Sequence, residues 1–579
     1  MVAATQTTLS RVLSKQEQLQ VPLFQRHYQW DRKQWQDLWN DLARVTRSRA
    51  SGDCDSTHFL GSVVVARPHS GSRGLLIVDG QQRLITLSLL LAALRDIGGV
   101  SASRRRVIDK ALWLQSPKSG SVYRRLRVLP TEFDREPYAR ILSGTSELPA
   151  GRIAEAYKYF IKRIDELSRE DAGEDDDEYV DVEAADLVQP ALQGLEVVLV
   201  TAERGDNAHR IFESLNNTGM PLSQADLIRN YVLMRLDADQ EDFYEFVFKP
   251  LEARFSPEEL TQLFWLDLVL SGDDATQRQT YVSQQRRMER MSKTQIREHL
   301  EQMATRADSW ARILSPQGEP SAKIRLRLER IRDWGTTTAA PTLLYLLEQR
   351  ENGEATAAEV ARAMRYLESY LVRRVVMGRA TMNMNRVLMA APAAMRKDSG
   401  PVDEALRLHL SGAGKHWATD EELRRNAATK PFFRHGKSHQ RALILRWLEE
   451  SLTGDDAEFA LAEFLSIEHV MPQTLTEAWR AEIRAGLKSK ERVNKIHGEL
   501  VDTIGNLTLV TYKVNSALSN KPFAEKKGVL KARGGGKIEL TKQVTSKHHW
   551  RPEAIRSRSP ALVEDIIQNW PGPLLSDED

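Results

Sequence analysis

Two short apolar segments in the last quarter of the chain constrain its fold more than any other feature. The first, IEHVMP at 467–472, is predicted to be a β-strand that Pro472 ends, because proline cannot supply the next ladder donor. The second, IGNLTLV at 504–510, sets apolar residues among smaller or polar ones, as a strand does. The stretch 515–527 is predicted to be helical. The predicted order is therefore strand, turn, strand and helix.

The polar residues of these segments have the chemistry that phosphodiester cleavage needs. That reaction uses a base to activate water and a divalent cation to neutralise charge on the scissile phosphate. His469 can be the base, while Glu468 and Asn515 offer the hard oxygens that Mg²⁺ or Mn²⁺ prefers. Asn506 is a catalytic candidate because it is placed to orient the loop that carries His469. An isolated Glu-His pair is common, but the surrounding pattern favours a nuclease site of the ββα-metal (HNH) type.

A second set of polar residues follows two predicted strands in the first hundred residues. HFLGSVVVA at 58–66 and LLIVD at 75–79 precede a predicted helix at 84–97, and the strand-to-helix turn reads DGQQR. Backbone N–H groups at a helix start bind anions, and a glycine there lets a phosphate approach closely. The candidates for binding a nucleotide are therefore Asp79, Gly80, Gln81, Gln82 and Arg83. The alternative is a tight polar turn held by an Asp–Arg pair.

The segment FQRHYQW at 24–30 places an arginine beside two aromatic rings. An arginine can bind a backbone phosphate while neighbouring rings stack on a base or form an apolar pocket. Such a pocket would read a DNA modification or hold a nucleotide base, and the sequence leaves both open. The candidate contacts to substrate or DNA are Gln25, Arg26, Tyr28 and Trp30.

Several caps and core residues are also predicted. Asp31 is expected to cap the helix that follows it, in which Trp35 and Trp39 recur at the spacing of a buried face. The further predictions are a strand at 194–202, a helix at 207–216 capped by Asp206, and a capping box formed by Ser223 and Asp226.

Together these motifs resemble the GmrSD-type modification-dependent restriction endonucleases. The C-terminal part of the resemblance rests on EHVMPQ, GNLTLV and NSALSNKPFAEKK at 515–527, and the N-terminal part on QRHYQW and DGQQR. It covers nearly the whole chain. It implies an α+β, multidomain protein with a ParB/sulfiredoxin-like N-terminal domain, a helical middle region and a ββα-metal (HNH) C-terminal nuclease domain.

The resemblance also implies how some residues are used. The N-terminal domain of such proteins hydrolyses nucleoside triphosphates, often GTP, which makes Asp79 and Gln82 catalytic candidates there. Lys526 and Lys527 are candidate DNA contacts. Glu468 stands where many ββα-metal nucleases carry Asp, and this longer arm leaves its direct contact with metal open.

The resemblance and the composition divide the chain into three parts. Residues 1–240 form the predicted ParB-like DGQQR nucleotide-binding and sensor domain, 241–395 a helical connecting region and 396–579 the HNH nuclease domain. Within the middle part, Arg373 and Arg374 lie in an apolar helix. They either meet DNA phosphates or pair with acids between domains, and the second, structural interpretation is favoured.

Composition limits the class of protein. The formal charge of +2 gives no electrostatic footprint for nucleic acid, so DNA contacts have to use local clusters. A single cysteine, Cys54, excludes an intrachain disulfide and a cysteine-rich zinc site. The N-terminus lacks a signal-peptide pattern, and no apolar run reaches the ~20 residues that span a bilayer. We therefore expect a bacterial cytoplasmic protein with no membrane partner.

With the resemblance, the sequence predicts an antiphage defence endonuclease that nicks or cuts DNA. Its expected partners are modified double-stranded DNA and a nucleoside triphosphate, GTP or another, which it hydrolyses. Phosphorothioate and glucosylated hydroxymethylcytosine are the candidate modifications, and formation of a homo-oligomer is left open. The alternatives are a nucleotide-switched DNA-binding protein with a vestigial nuclease, and an RNA-cleaving toxin.

Overall fold

The computed structural model describes residues 3–22, 25–67, 74–97, 100–114, 121–144, 147–170, 186–202, 223–236, 239–379, 382–453, 465–487, 492–532 and 538–574. The structure is mixed α+β, mostly helical and multidomain. It divides into two compact units, Met1–Phe264 with Thr276–Ala304, and Trp265–Ala275 with Thr305–Asp579. The helices of 241–395 are shared between the units, and the three-part division of the chain stays a prediction.

The first unit contains a mixed sheet. Its strands are β1 Ala3–Thr8, β2 Leu19–Gln20, β3 His58–Ala66, β4 Leu75–Asp79, β5 Val128–Leu129 and β6 Leu195–Ala202. Their order is β1-β6-β3-β4-β2-β5. The pairs β1–β6 and β3–β4 are antiparallel, whereas β3–β6, β2–β4 and β2–β5 are parallel.

One helix lies at the centre of the first unit's core. The helices from 9 to 305 are α1 Leu9–Leu13, α2 Arg32–Ala50, α3 Gln81–Asp96, α4 Ala102–Leu112, α5 Glu132–Leu142, α6 Arg152–Glu170, α7 Gln224–Leu236, α8 Gln240–Phe243, α9 Lys249–Arg254, α10 Pro257–Leu270, α11 Thr280–Glu289 and α12 Lys293–Thr305. Helix α3 is apolar on every face, and Leu89, Leu90 and Leu91 are each 0% exposed. It follows β4 through Gly80, so the DGQQR turn leads directly into the core.

The local predictions for this unit are largely confirmed. The strands at 58–66 and 75–79 are β3 and β4, and the third predicted strand begins at Leu195. The helix predicted at 84–97 begins earlier, at Gln81, because Gly80 adopts a left-handed conformation (φ 92°) that turns the chain into it.

The predicted caps and core tryptophans are confirmed as well. Asp31 Oδ1 accepts from Lys33 N at 2.9 Å. Ser223 and Asp226 bond reciprocally, as in a capping box. Trp35 and Trp39 are buried. The predicted cap at Asp206 and the helix at 207–216 lie outside the described residues.

The second unit holds a hairpin among helices. Its strands and helices are β7 Leu465–His469 and β8 Leu507–Thr511, with α13 Ala307–Leu314, α14 Ala322–Trp334, α15 Ala340–Glu351, α16 Ala357–Val376, α17 Met384–Met395, α18 Val402–Ser411, α19 Asp420–Asn426, α20 Ser438–Thr453, α21 Glu477–Ala485, α22 Val493–Leu500, α23 Tyr512–Leu518, α24 Phe523–Ala532, α25 Glu539–Thr545 and α26 Pro552–Asn569. The described part of the middle region, 241–379 and 382–395, is helical without strands, as predicted. Within the described residues, no helix is both long and apolar enough to cross a membrane.

Strands β7 and β8 pair antiparallel, with Glu468 opposite Thr508. Helix α23 follows β8 directly, so the strand–strand–helix order is present, with α21 and α22 inserted between the strands. The prediction of one helix over 515–527 is wrong. Helix α23 ends at Leu518, and α24 starts at Phe523. The break contains Ser519, with a positive φ of 42°, and Pro522, which disfavours helical geometry in the residue before it.

The tail that follows α26 is fastened to α16 through its backbone. Arg365 Nη2 donates to the carbonyl oxygen of Asn569 at 2.8 Å, and Ser369 Oγ to that of Pro571 at 2.7 Å. Arg373 is 0% exposed, and its Nε donates to Trp570 O at 2.7 Å. The structural interpretation of Arg373 is therefore confirmed.

Candidate functional site

His469, at the end of β7, lies in a buried polar environment. Its side chain is 10% exposed, and its Nε2 lies 3.2 Å from Asp502 Oδ1. Because an ionised carboxylate only accepts hydrogen bonds, Nε2 carries a proton and Nδ1 is the nitrogen left to accept one. Burial lowers the pKa of His469, and the Asp502 carboxylate opposes that shift. Burial thus favours the neutral form of the imidazole, which is the form that a general base needs.

Asn506 fixes the turn that follows His469. It is 0% exposed, and its Oδ1 accepts from Met471 N at 2.8 Å and from Trp550 Nε1 at 3.0 Å. Its Nδ2 donates to the carbonyl oxygens of Met471 and Val501 at 2.9 and 2.8 Å. Both lone pairs of the amide oxygen are taken up, so this geometry gives Asn506 a positioning role and leaves it nothing to offer a metal.

Glu468 and Lys526 form a buried ion pair beside His469. Lys526 Nζ donates to Glu468 Oε1 at 2.6 Å and to the His469 carbonyl oxygen at 2.9 Å. Burial raises the pKa of Glu468 and lowers that of Lys526, and the charge of each partner opposes the other's shift. Lys526 is 1% exposed, so the DNA contact expected of it does not match its position. Lys527 is less buried, and its Nζ donates to Lys547 O at 2.6 Å.

Glu468 and Asn515 are the oxygen donors that could hold a cation. Asn515 Nδ2 donates to Ser466 Oγ at 2.9 Å and to Ile467 O at 3.1 Å, which leaves Oδ1 as an acceptor beside β7. Carboxylate and amide oxygens are the kind of ligand that Mg²⁺ or Mn²⁺ prefers, and one oxygen of Glu468 is bound by Lys526. Among the described residues, no group of three or more His, Cys, Asp or Glu side chains is arranged to hold a metal ion.

Two side chains that contact His469 were missed by the sequence analysis. Asp502 lies in the turn just before the IGNLTLV segment, and Phe433 lies in a 3₁₀ turn at Phe432–Arg434. The Phe433 and His469 rings pack edge to face with their centroids 4.3 Å apart. An acid just before a predicted motif is a weak signal for Asp502, and no sequence signal connects Phe433 to the site.

In the first unit, two glutamines of the DGQQR turn bind the backbone of the FQRHYQW segment. Gln82 Oε1 accepts from Gln29 N at 2.8 Å, and its Nε2 donates to His27 O at 3.2 Å. Gln81 Nε2 donates to Arg26 O at 3.1 Å. Both glutamines are buried. The two motifs therefore form one structural unit, in which these side chains fix the neighbouring chain.

Tyr28 belongs to a buried chain of hydrogen bonds. Trp35 Nε1 donates to Tyr28 Oη at 2.8 Å, which lies 2.6 Å from Thr86 Oγ1, and Thr86 in turn donates to Gln82 O at 2.7 Å. Gln25 is also buried, and its Nε2 donates to a carbonyl of β4 at 2.8 Å. Since Tyr28 is 1% exposed, the contact with DNA expected of it does not match its position.

Arg26 lines a cavity of about 710 Å³ together with Asp226, Arg229 and Glu252. Arg229 Nη2 donates to Asp226 Oδ1 at 2.9 Å, and the same guanidinium pairs with Glu252. Burial lowers the pKa of Arg26 and raises that of Asp79, and the opposite charge of each acts on the other. The charged side chains in the cavity walls are four carboxylates, two guanidinium groups and one ammonium, those of Glu132, Asp226, Glu252, Glu258, Arg26, Arg229 and Lys249. The cavity has the size of a small-molecule site.

Gly80 and Arg83 contact β3. Arg83 Nη1 donates to Ser62 O at 2.8 Å. A Cβ added at Gly80 would lie 3.0 Å from Val63 Cγ2, so the glycine lets the turn approach the strand. The DGQQR residues were predicted to form one site. In the structure Gly80 and Arg83 contact β3, whereas Asp79 lies near Arg26.

Trp30 is half-buried and lines two other cavities. The smaller, of about 220 Å³, also includes Arg83. The larger, of about 600 Å³, has Tyr159, Arg152 and Arg163 in its walls. Asp31, Glu155 and Glu166 also line the larger cavity, and Arg163 Nη1 pairs with Glu166 at 2.8 Å, so its aromatic rings lie beside charges of both signs. Aromatic rings of this kind can stack on a base.

Family models match both parts of the chain that carry these polar groups. Residues 9–233 match the N-terminal domain of the GmrSD restriction endonuclease, and 417–565 match the C-terminal domain of GmrSD restriction endonucleases. A search of curated proteins finds no match. A restriction endonuclease family implies nuclease activity with DNA as the substrate. Since the two domain models follow one another along a single polypeptide, the chain belongs to the GmrSD family of restriction endonucleases.

Proposed function

We propose that the second unit carries a ββα-metal (HNH) site that cleaves DNA, with His469 as its general base. The observation that supports this most is the position of His469 at the end of β7, where its Nε2 lies 3.2 Å from Asp502 Oδ1 and the same strand carries Glu468 and contacts Asn515. The strand–strand–helix order around it is the one that the sequence motif requires.

In the proposed mechanism, His469 Nδ1 accepts the proton of the attacking water. The Asp502 carboxylate then stabilises the imidazolium, because its Oδ1 already accepts the Nε2 proton. Asn506 holds the turn after β7 and so keeps the ring in place. Phe433 packs against the ring and limits its rotation.

Glu468 and Asn515 would hold Mg²⁺ or Mn²⁺, which supplies positive charge to the scissile phosphate and the leaving oxygen. Lys526 keeps the buried Glu468 carboxylate ionised by donating to it at 2.6 Å. The lysine therefore preserves the charge that a ligand needs.

We further propose that the first unit is a ParB/sulfiredoxin-like sensor that binds and hydrolyses GTP or another nucleoside triphosphate. The cavity that Arg26 lines is the favoured site, with Asp79 beside it. Its carboxylates outnumber its guanidinium groups, so a nucleotide would bind best as its Mg²⁺ complex. Asp79 remains the catalytic candidate, and Gln82, bound to the backbone of 27–30, would act by positioning.

The cavity between Trp30 and Tyr159 is the favoured place for reading modified DNA. Phosphorothioate and glucosylated hydroxymethylcytosine are the proposed modifications, and a role in antiphage defence follows from them. A nucleotide-dependent two-state element between sensor and nuclease would restrain cleavage of unmodified DNA.

The nuclease proposal is tested by plasmid cleavage in Mg²⁺, Mn²⁺ or chelator. We expect the parent to nick or cut in either metal and His469→Ala to lose about 10²–10⁴-fold in rate. His549→Ala, an exposed histidine of the same unit, is the matched control and should cleave like the parent. Equal cleavage by His469→Ala and the parent would refute the assignment of the base.

The sensor proposal is tested by GTP and ATP hydrolysis with unmodified, phosphorothioated and glucosylated DNA. We expect one modified DNA to change hydrolysis or cleavage, and Asp79→Asn to abolish hydrolysis. If no DNA elicits hydrolysis or cleavage while DNA still binds, the alternative of a nucleotide-switched DNA-binding protein with a vestigial nuclease is favoured. Preferential cleavage of RNA in the same assay would favour a toxin.

A further inference from the structure

The geometry points to Arg434 as a residue that binds a phosphate of the substrate strand beside the bond that His469 acts on. This inference rests on the proposed nuclease function. Arg434 lies in the 3₁₀ turn at Phe432–Arg434, outside both strands of the hairpin and outside the sequence motifs.

A single carboxylate connects Arg434 to the general base. Asp502 Oδ1 lies 3.2 Å from His469 Nε2, and Asp502 Oδ2 accepts from Arg434 Nε at 2.5 Å. The guanidinium is therefore held on the Nε2 side of the imidazole, with the Asp502 carboxylate between the two groups, where it can meet a phosphate next to the one that faces Nδ1. Because Asp502 takes up only the Nε side, the two Nη groups remain for a second, forked interaction.

The exposures of the two partners differ sharply. The Asp502 side chain is 5% exposed, whereas that of Arg434 is 70% exposed. The buried Asp502 carboxylate therefore holds Nε of Arg434, and the rest of the guanidinium extends to the protein surface. An exposed arginine with a fixed Nε and open Nη groups matches the geometry of a phosphate diester, whose two free oxygens accept from such a fork.

The turn that presents Arg434 is held from several sides. Phe432 is 1% exposed and anchors it in the core, and Phe433 N donates to Asp502 O at 3.0 Å. Arg441 Nη1 donates to His435 O at 2.8 Å, just after the turn, and its guanidinium lies over the Phe433 ring. Arg434 is therefore positioned before substrate arrives, which reduces the entropy lost on binding.

Arg434 also supplies what Lys526 cannot. Lys526 is buried, and its ammonium is bound to Glu468 and to a backbone carbonyl. The Arg434 side chain is 70% exposed and can meet a bound phosphate from the protein surface.

The test compares Arg434→Ala, Arg434→Lys and the control Arg425→Ala, which removes another exposed arginine that is paired to an acid of its own helix. Cleavage gives kcat and KM, and DNA binding is measured in a His469→Ala background over a range of salt concentrations. We expect Arg434→Ala to lower kcat/KM about 10²-fold and to reduce the salt slope of DNA binding by about 1. Arg434→Lys keeps the charge without the fork and should fall between.

Two results would overturn the inference. One is cleavage by Arg434→Ala equal to that of the parent. The other is a loss of cleavage with unchanged DNA affinity and salt slope, since Arg434 would then act only on Asp502. If the parent itself cuts no nucleic acid, the proposed function fails, whereas a cutting parent matched by Arg434→Ala removes this inference alone.

Discussion

At β7 and β8, polar side chains of the sequence motif lie around one histidine, whereas in the DGQQR turn two glutamines bind the backbone of a neighbouring segment. His469 contacts Asp502, and Lys526 donates both to Glu468 and to the His469 carbonyl oxygen. Gln81 and Gln82 instead hold the chain at 26–29. A dense polar motif can therefore surround one titratable group in one place and position a neighbouring chain segment in another.

The largest expected effect concerns the buried ion pair of the hairpin. Lys526→Met should lower the free energy of unfolding by about 3–5 kcal/mol, because Glu468 would remain buried without its counter-charge. Chemical denaturation measures the loss. The double variant Glu468→Gln/Lys526→Met should recover much of it, since no buried charge remains. If Lys526→Met is as stable as the parent, the Glu468–Lys526 ion pair does not stabilise the hairpin.

The next effect tests the structural role of a DGQQR glutamine. Gln82→Ala should lower the free energy of unfolding by about 1–3 kcal/mol, because Gln29 N and His27 O lose their buried partner. Asp79→Asn is the comparison, and we expect it to impair nucleotide hydrolysis with a smaller loss of stability. If Gln82→Ala keeps full stability and loses only nucleotide hydrolysis, Gln82 acts in catalysis and its structural assignment is wrong.

A smaller effect is expected at Tyr28. Tyr28→Phe should cost about 1 kcal/mol, because Trp35 Nε1 loses its acceptor. Since Thr86 links Tyr28 to Gln82, the double variant with Gln82→Ala should be less destabilised than the sum of the two singles. Strict additivity in thermal unfolding would show that the two side chains are independent.

The smallest expected effect is a pH dependence of the stability of the second unit. Burial lowers the pKa of His409, whose Nε2 bonds to Val387 O at 2.9 Å. The unfolded chain therefore binds more protons between the usual histidine pKa and the lowered one. Stability should fall as pH drops through that window and be unaffected above it. His409→Gln should flatten this fall in melting temperature, and an unchanged slope would contradict the assignment.

Local structure could be predicted from the sequence where it depends on residues that are close together along the chain. Short apolar segments predicted β3 and β4. The caps at Asp31 and Ser223 follow from side chains that accept from backbone N–H groups two or three residues ahead. The break between α23 and α24 was missed although Pro522 was visible, because an apolar and basic helical pattern continues on both sides of it.

The site was readable only in part, because burial and long-range partners decide it. His469 and the orienting geometry of Asn506 follow from their motif. Lysine is rarely buried, so Lys526 was expected at the surface, and only its partner Glu468 explains its position. Asp502 and Phe433 reach His469 through tertiary packing that no local spacing encodes.

The fastening of the tail to α16 has a consequence for how the sequence can change. Arg365, Ser369 and Arg373 donate to main-chain oxygens, which every residue type provides. Most substitutions along this tail therefore keep the contacts, except at Trp570, which is itself buried. A one-residue deletion would move every carbonyl out of step with its donor. The segment should therefore tolerate most substitutions but not insertions or deletions.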